Sequence, residues 1–438
     1  MQQMQPTKAS IYKRNYALMV LEGSLFMGGI GFFNINTVIP MFINTVTHSK
    51  QLVGLTITFG SFCTYLTRLA LGPIMPKIRN NALFTTIAMC VGRPQMLLAA
   101  IFLFSGHYKL AVAVLIASYA FLWMSDGVIV LPWSEVLANT VDEERHGRLL
   151  GSQMLYGGFA AVGAGILISH FLNDPRLDIR GLYGWIFLLG GVLLILSCFA
   201  MAGVEPYPQK KNDAKVDFRK FYRNLPRYLL WEKDNTRQLL AQFVLLAASM
   251  GLAFIILFAQ EKIRVGTGQT ATLILVQSIG NPFGGWLWGQ LCDRLGSEKG
   301  MRVAAVNILL ISALPLLALP AGQYAMAVLV PAMFLAGLNN GFTNCSYIYT
   351  VQAVRPESRP ACLVLSSLIA LPATFSNYFA GFVSDRYGYV PLFVICIGIS
   401  LLGFWMTMRI RPVRTVVRER QARDRQAGAE KCAADTRV

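Results

Sequence analysis

Residues 182–204 read LYGWIFLLGGVLLILSCFAMAGV, with no charged side chain among 23 positions. As a helix rising 1.5 Å per residue, such a run reaches about 35 Å, enough to cross the roughly 30 Å hydrocarbon core of a bilayer. Lipid offers no water to backbone N–H and C=O groups, so a single spanning segment must pair them within itself as a helix. A polar break follows at 205–237. Residues 238–260, QLLAQFVLLAASMGLAFIILFAQ, are then again free of charge.

Working outward from this pair, five more apolar stretches precede it, at about 16–40, 52–73, 82–105, 109–134 and 149–172. Five follow, at about 270–291, 301–320, 323–350, 361–382 and 389–409. The expected fold is an all-α membrane protein of twelve transmembrane helices in two six-helix pseudo-repeat bundles. The expected units are a first bundle over 1–204, a linker over 205–237, a second bundle over 238–410 and a basic tail over 411–438. The first stretch is too long for a signal-peptide core and lacks a small-residue cleavage site, so it is read as a retained span.

Composition agrees. Only 14% of the 438 residues are charged and 55% are hydrophobic, against about 25% charged in soluble domains. A soluble enzyme, a disordered chain and a disulfide scaffold are excluded. The eight cysteines show no C-x-x-C spacing and the four histidines are scattered. No metal site and no cofactor are expected. The net charge of +17 is mostly a matter of position, because 30 of the 39 Lys and Arg lie on the side of both termini and 7 on the other. Cytoplasmic loops are enriched in Lys and Arg, so both termini are expected in the cytoplasm and the cell membrane is the expected location. Nucleic acid is not an expected partner; membrane lipids and a small-molecule substrate are, and the chain is expected to be a monomer.

The halves resemble each other. At an offset of 214, Gly127 maps to Gly341 and Arg145 to Arg359. Internal duplication of a six-span unit marks a secondary-transporter architecture. Within the linker, Phe218, Phe221, Tyr222, Leu225, Tyr228 and Leu229 follow helical spacing among Arg219, Lys220, Arg223 and Arg227. This predicts an amphipathic helix on the inner membrane face. The tail after Arg409 is expected either on anionic lipid or as a disordered topogenic tail.

The string Gly289-Gln-Leu-Cys-Asp293-Arg294-Leu-Gly296-Ser-Glu-Lys299 lies between the eighth and ninth stretches. It resembles the G-x-x-x-D-R-x-G-x-[RK] signature of the major facilitator superfamily, and the resemblance extends over about 16–410. It implies that Gly289, Asp293, Arg294 and Lys299, with Arg145, Arg148 and Arg359, form a cytoplasmic gate that latches one alternating-access state. The first-half copy, Gly72-Pro-Ile-Met-Pro76-Lys77-Ile-Arg79, lacks the acid. A further D-R-x-G, Asp385-Arg386-Tyr-Gly388, falls in an outer loop and is read as a turn, not a second latch. The span-four arginine motif and the span-five Gly-Pro run of drug–proton antiporters are missing.

Charges inside a span cost about 2.5–3.5 kcal/mol each on insertion scales and need a reason. Glu22, Arg68, Arg93 and Asp126 are such charges. Their depths suggest the pairs Glu22–Arg68 and Arg93–Asp126, or one network of all four. A carboxylate that loses its partner takes up a proton more readily, so Glu22 and Asp126 are charge-switch candidates; the alternative role is structural bridging. In the second half Asn340 stands where Asp126 stands in the first, among the polar neutral side chains Gln277, Ser278, Asn281, Asn339, Thr343, Asn344, Ser346, Ser376 and Asn377. Asn36, Asp126, Gln277, Asn340 and Asn344 are the candidate substrate contacts. Neither a catalytic set nor a nucleotide-binding loop is present, so the chain reads as a non-enzyme. The resemblance implies secondary transport of a small solute by alternating access, with a proton as the candidate coupling ion, and the mixture of one acidic half and one amide-rich half suits a small polar or zwitterionic solute. Its rivals are a multidrug efflux antiporter and a non-transporting membrane sensor.

Overall fold

All regular structure among the described residues is helical. The computed structural model describes residues 8–71, 78, 80–140, 146–205, 218–355 and 358–422. Spans one to six are Lys8–Phe32, Lys50–Leu71, Asn81–Phe104, Tyr108–Thr140, His146–Asn173 and Ile179–Ala202. Spans seven to twelve are Lys233–Glu261, Thr267–Leu295, Ser297–Ala318, Gly322–Ala353, Ala361–Arg386 and Tyr389–Met408. Ten of these are long and apolar enough to cross a membrane. Spans one and eight are helical without reaching that apolarity. The first carries Lys8, Lys13, Arg14 and Glu22, and the eighth carries Gln277, Asn281, Asp293 and Arg294.

Side-by-side order follows from the small residues. Span one packs on five and six, six on three, three on four, and four on two. The second half repeats this: seven on eleven and twelve, twelve on nine, nine on ten, ten on eight. A Cβ at Gly28 would stand 2.9 Å from Ala160 Cβ, and one at Gly31 would stand 3.1 Å from Ala164 Cβ. The repeat-related Gly127 and Gly341 do the same work in both halves, the first against Thr64 of span two and the second against Trp288 of span eight. Close backbone approach supplies the dispersion contacts that hold helices together where water cannot drive them.

Each half is also pinned by a polar centre. In the first, Arg93 follows the last residue of helix Asn81–Gly92, before the 3₁₀ turn Pro94–Met96. Its Nη1 donates to Glu22 Oε1 at 3.0 Å and to Ser197 Oγ at 2.5 Å, and its guanidinium lies 4.4 Å from the centre of the Phe26 ring. Trp133 Nε1 donates to Glu22 Oε2 at 3.3 Å. Spans one, three, four and six therefore meet at one ion pair, whose side chains are 3% and 4% exposed. The second half uses neutral groups. Gln238 Nε2 donates to Thr350 Oγ1 at 3.0 Å, and Ser346 donates to Gln238 Oε1 at 2.6 Å and Gln242 Oε1 at 3.0 Å.

The linker forms a helix over Phe218–Trp231. Its Leu225 is buried against Leu239, Ala361 and Leu365 of spans seven and eleven. The start of the tail is tied to the second bundle. Arg411 pairs with Asp234 at 3.6 Å and with Glu419, and Tyr349 donates from its hydroxyl to the Arg411 carbonyl at 3.0 Å. Val413 and Val416 then pack on the second bundle.

Removing one member of a buried ion pair strands the other and costs about 3–5 kcal/mol. Arg93→Ala and Glu22→Gln are each expected to lower unfolding stability in detergent by that order. The double change Glu22→Leu with Arg93→Met is expected to cost less than either single one. Chemical unfolding of the four proteins checks this, and additive losses would refute the pairing.

Candidate functional site

A cavity of about 590 Å³ lies between the halves. The first half supplies Phe26, Asn34, Asn36, Tyr65, Tyr119 and Trp123 to its wall. The second supplies Asn281, Asn339, Asn340 and Asn344. Two helix breaks present these amides. Span one ends at Phe32, and in the turn that follows Asn34 Oδ1 accepts from the Asn36 amide at 2.9 Å. Span ten is interrupted over 338–340 between helices Ala325–Gly337 and Gly341–Ala353. Trp288 Nε1 donates to the buried Leu338 carbonyl at 2.8 Å. Irregular backbone at this depth is tolerated where it lines a wet cavity.

Asn36, Asn340 and Asn344, three of the candidate contacts, line this cavity. Gln277 does not. It is 1% exposed, its backbone carbonyl lies in the tight contact between spans eight and ten, 2.5 Å from where a Cβ on Gly337 would be, and its side-chain Oε1 is buried without a hydrogen-bond partner among the described residues. Ser346 likewise faces span seven. A polar residue in an apolar stretch signals a polar neighbour, and that neighbour can be another helix as well as the cavity. The aromatic wall carried no comparable signal, since tyrosine and tryptophan are frequent throughout such chains.

The expected pairing of Glu22 with Arg68 and Arg93 with Asp126 is overturned by the Glu22–Arg93 bond. Depth was not the deciding coordinate: span one packs on five and six, while span two packs on four and eleven. Arg68 and Asp126, the latter also a candidate substrate contact, are not among the residues lining the cavity. Each follows a wall aromatic by three residues, Tyr65 and Trp123, on the same helical face. Asp126 is partly accessible, has no direct hydrogen-bond or ion-pair partner among the described residues, and feels the charges of Arg68 and Arg93. Arg68 Nε is buried and unpaired.

The cavity is shut on the side opposite the termini. Lys50 Nζ bridges to Glu261 at 2.8 Å, and Asn44 donates to the same carboxylate at 3.1 Å. Asp385 accepts from the backbone amides of Lys50 at 3.0 Å and Gln51 at 2.8 Å, capping span two from the other half. The D-R-x-G read as a mere turn is therefore a latch between halves. A carboxylate at a helix N-terminus satisfies orphan N–H donors and the helix dipole together. Gly296 and Gly388, the glycines of the two D-R-x-G strings, have φ of 93° and 85°, which an L side chain would strain.

Toward the termini the halves splay apart. A Cβ at Gly165 of span five would lie 2.8 Å from Ser278 Oγ of span eight, while one at Gly285 would find its nearest neighbour, Met154 Sδ, at 3.8 Å. At Gly151 and Gly289 nothing lies within 4 Å. Asp293, Arg294 and Lys299 are exposed, and none is in an ion pair among the described residues. Arg148 is displaced from the expected gate. With Ser152 and Tyr156 it occupies the face of span five turned away from Gly158 and Gly165, the residues that meet span eight. Arg145 and most of the first-half motif copy lie outside the described residues, and Arg359 is described only as the first residue of its helix.

Two helical bundles around a central cavity, closed at one end and open at the other, define a polytopic secondary transporter. A model of the major facilitator superfamily matches residues 22–363, and the chain belongs to that family. A D-xylose–proton symporter superposes with TM-score 0.70 at 12% identity, covering 92% of this chain and 99% of its own. The nucleoside transporter NupG gives 0.64 at 14%, covering 91% and 98%. A bacterial homologue of the iron transporter ferroportin gives 0.67 in its inward-facing state, at 14% identity with 91% and 98% covered. Its outward-facing state gives 0.61, again at 14%, with 90% and 98% covered.

Removing the Asp385 carboxylate frees two amides at the closed end and weakens the seam. In a background without native cysteines, spin labels at positions 49 and 387 are expected to report a longer, broader distance distribution in Asp385→Ala. An unchanged distribution would remove Asp385 from the latch.

Proposed function

We propose that this chain transports a small, neutral, hydroxyl- or amide-rich solute with one apolar face. The observation that carries this is the cavity wall: six asparagines together with six aromatic residues, and no charged residue among the described lining. Each amide both donates and accepts, which suits hydroxyls and amides. A zwitterion would bring two charges to a wall that offers none, and burying an unpaired charge is costly. Drug-like lipophilic cations would leave the amides unpaired.

Both termini are placed in the cytoplasm of a cell-membrane protein that works as a monomer without a nucleic-acid partner, so the open side faces inward. Asp126 is the coupling group. It sits one helical turn from Trp123 beside Arg68, where solute-dependent rocking changes its exposure and hence its proton occupancy. Glu22 is the structural carboxylate, sealed against Arg93.

Thermal stabilisation of the purified protein across sugars, polyols, nucleosides and lipophilic cations tests the solute class, since a ligand at 100 times its Kd adds about 2.7 kcal/mol. Hits are expected among neutral polar solutes, and hits confined to lipophilic cations would overturn the reading. Asn340→Ala and Asn344→Ala are each expected to weaken the hit about 5- to 150-fold, the effect of about 1–3 kcal/mol for a hydrogen bond lost from a buried partner. In proteoliposomes, Asp126→Asn is expected to abolish accumulation driven by a pH gradient while solute exchange persists. Retained accumulation would exclude Asp126 as the coupling group.

A further inference from the structure

A second cavity, of about 660 Å³, lies between spans one and five at the end bearing the termini. Its span-one wall is Tyr12, Lys13, Tyr16, Ala17, Val20, Leu21 and Ser24, a single helical face. Its span-five wall is Arg148, Ser152 and Tyr156. These lie on the opposite side of span five from the residues that line the central cavity, Met154, Gly157, Gly158 and Ala161. This groove therefore opens sideways into the bilayer and not into the transport path. Leu21 and Tyr156, at 48% and 57% exposure, face that surrounding.

The groove is graded along its length. Lys13 and Arg148 are exposed at its mouth, Arg148 in the first turn of the helix His146–Asn173. Among the described residues neither cation is paired to a carboxylate; the nearby Glu205 is taken by Arg14 at 2.7 Å. Tyr16 and Ser152 hydroxyls meet across the floor at 3.2 Å, and Ser152 donates to the Arg148 carbonyl at 2.9 Å, so this pair closes the floor. Beyond them the wall turns apolar through Ala17, Val20 and Leu21, and the Ser24 hydroxyl is spent on the Val20 carbonyl at 2.7 Å. From residue 12 to residue 24 a helix rises about 18 Å. One leaflet contributes roughly 15 Å of hydrocarbon below its headgroups.

We infer that this groove is a binding site for one anionic glycerophospholipid of the leaflet on the side of the termini. Lys13 and Arg148 hold its phosphate, and one acyl chain lies along Ala17 and Leu21. Basic pockets between spans on this side of a membrane are suited to anionic headgroups, and the apolar floor distinguishes a lipid from a free anion.

The test is native mass spectrometry of the full-length protein delipidated in detergent and titrated with phosphatidylglycerol, phosphatidylcholine or inorganic phosphate. One saturable phosphatidylglycerol adduct is expected, at least 10-fold tighter than phosphatidylcholine. The double variant Lys13→Gln with Arg148→Gln is expected to lose that preference. Ala17→Trp, which fills the apolar floor and keeps both charges, is expected to lose the adduct as well, and Arg409→Gln to keep it. Unfolding temperature and elution profile confirm that each variant is folded. Equal binding of the two lipids, phosphate competing at the affinity of the lipid, or an adduct that survives in both groove variants would overturn the proposal.

Discussion

Glu22 and Arg93 are locked together at the one position where spans one, three, four and six converge. Neither charge is tolerable alone at that depth, so each helix that contributes to the pair is fixed in rotation and height relative to the others. The cavity-facing sides of spans one and four, with Phe26, Asn34, Tyr119 and Trp123, are set by that constraint. The second bundle solves the same problem without charge. Gln238, Gln242, Ser346 and Thr350 satisfy one another, so spans seven and ten are pinned at no cost of ion desolvation.

Two internally pinned bundles can move as bodies. What joins them at the closed end is a set of contacts of a different kind: a lysine–glutamate bridge, a carboxylate on two backbone amides, and glycine-mediated crossings of spans two and eleven and of five and eight. Partly exposed polar bonds of this sort exchange readily for water, whereas the buried pair does not. Rocking about the central cavity therefore breaks the seam before it disturbs either bundle. The exposed Asp293, Arg294 and Lys299 stand at the opposite end, on the side that is open.

Much of the fold was legible because lipid imposes simple rules on sequence. A run such as 182–204 can only be a helix, and the Lys and Arg bias orders the loops. The candidate site was legible in part. Asn36, Asn340 and Asn344 stood out as amides in apolar stretches, and the cavity explains them. Ser346 carried the same signal for another reason, since a neighbouring helix also answers a buried polar group, whereas Gln277 is buried against span ten with its Oε1 unpartnered among the described residues. Asp385 was underread because its partners are backbone amides, which every sequence contains.

The sequence by itself determined which segments are helical, how they alternate across the bilayer, that the chain is duplicated, and which side chains need a polar partner. These are properties of single segments, governed by transfer free energy and length. Only the tertiary structure decided which partner each found: Arg93 for Glu22, Thr350 for Gln238, the amides of span two for Asp385. It alone turned Arg148 away from the gate and left one end of the cavity open. Those outcomes depend on the lateral order and rotation of helices, which small-residue crossings such as Gly28 on Ala160 set through close packing, and depth along a span carries no information about them.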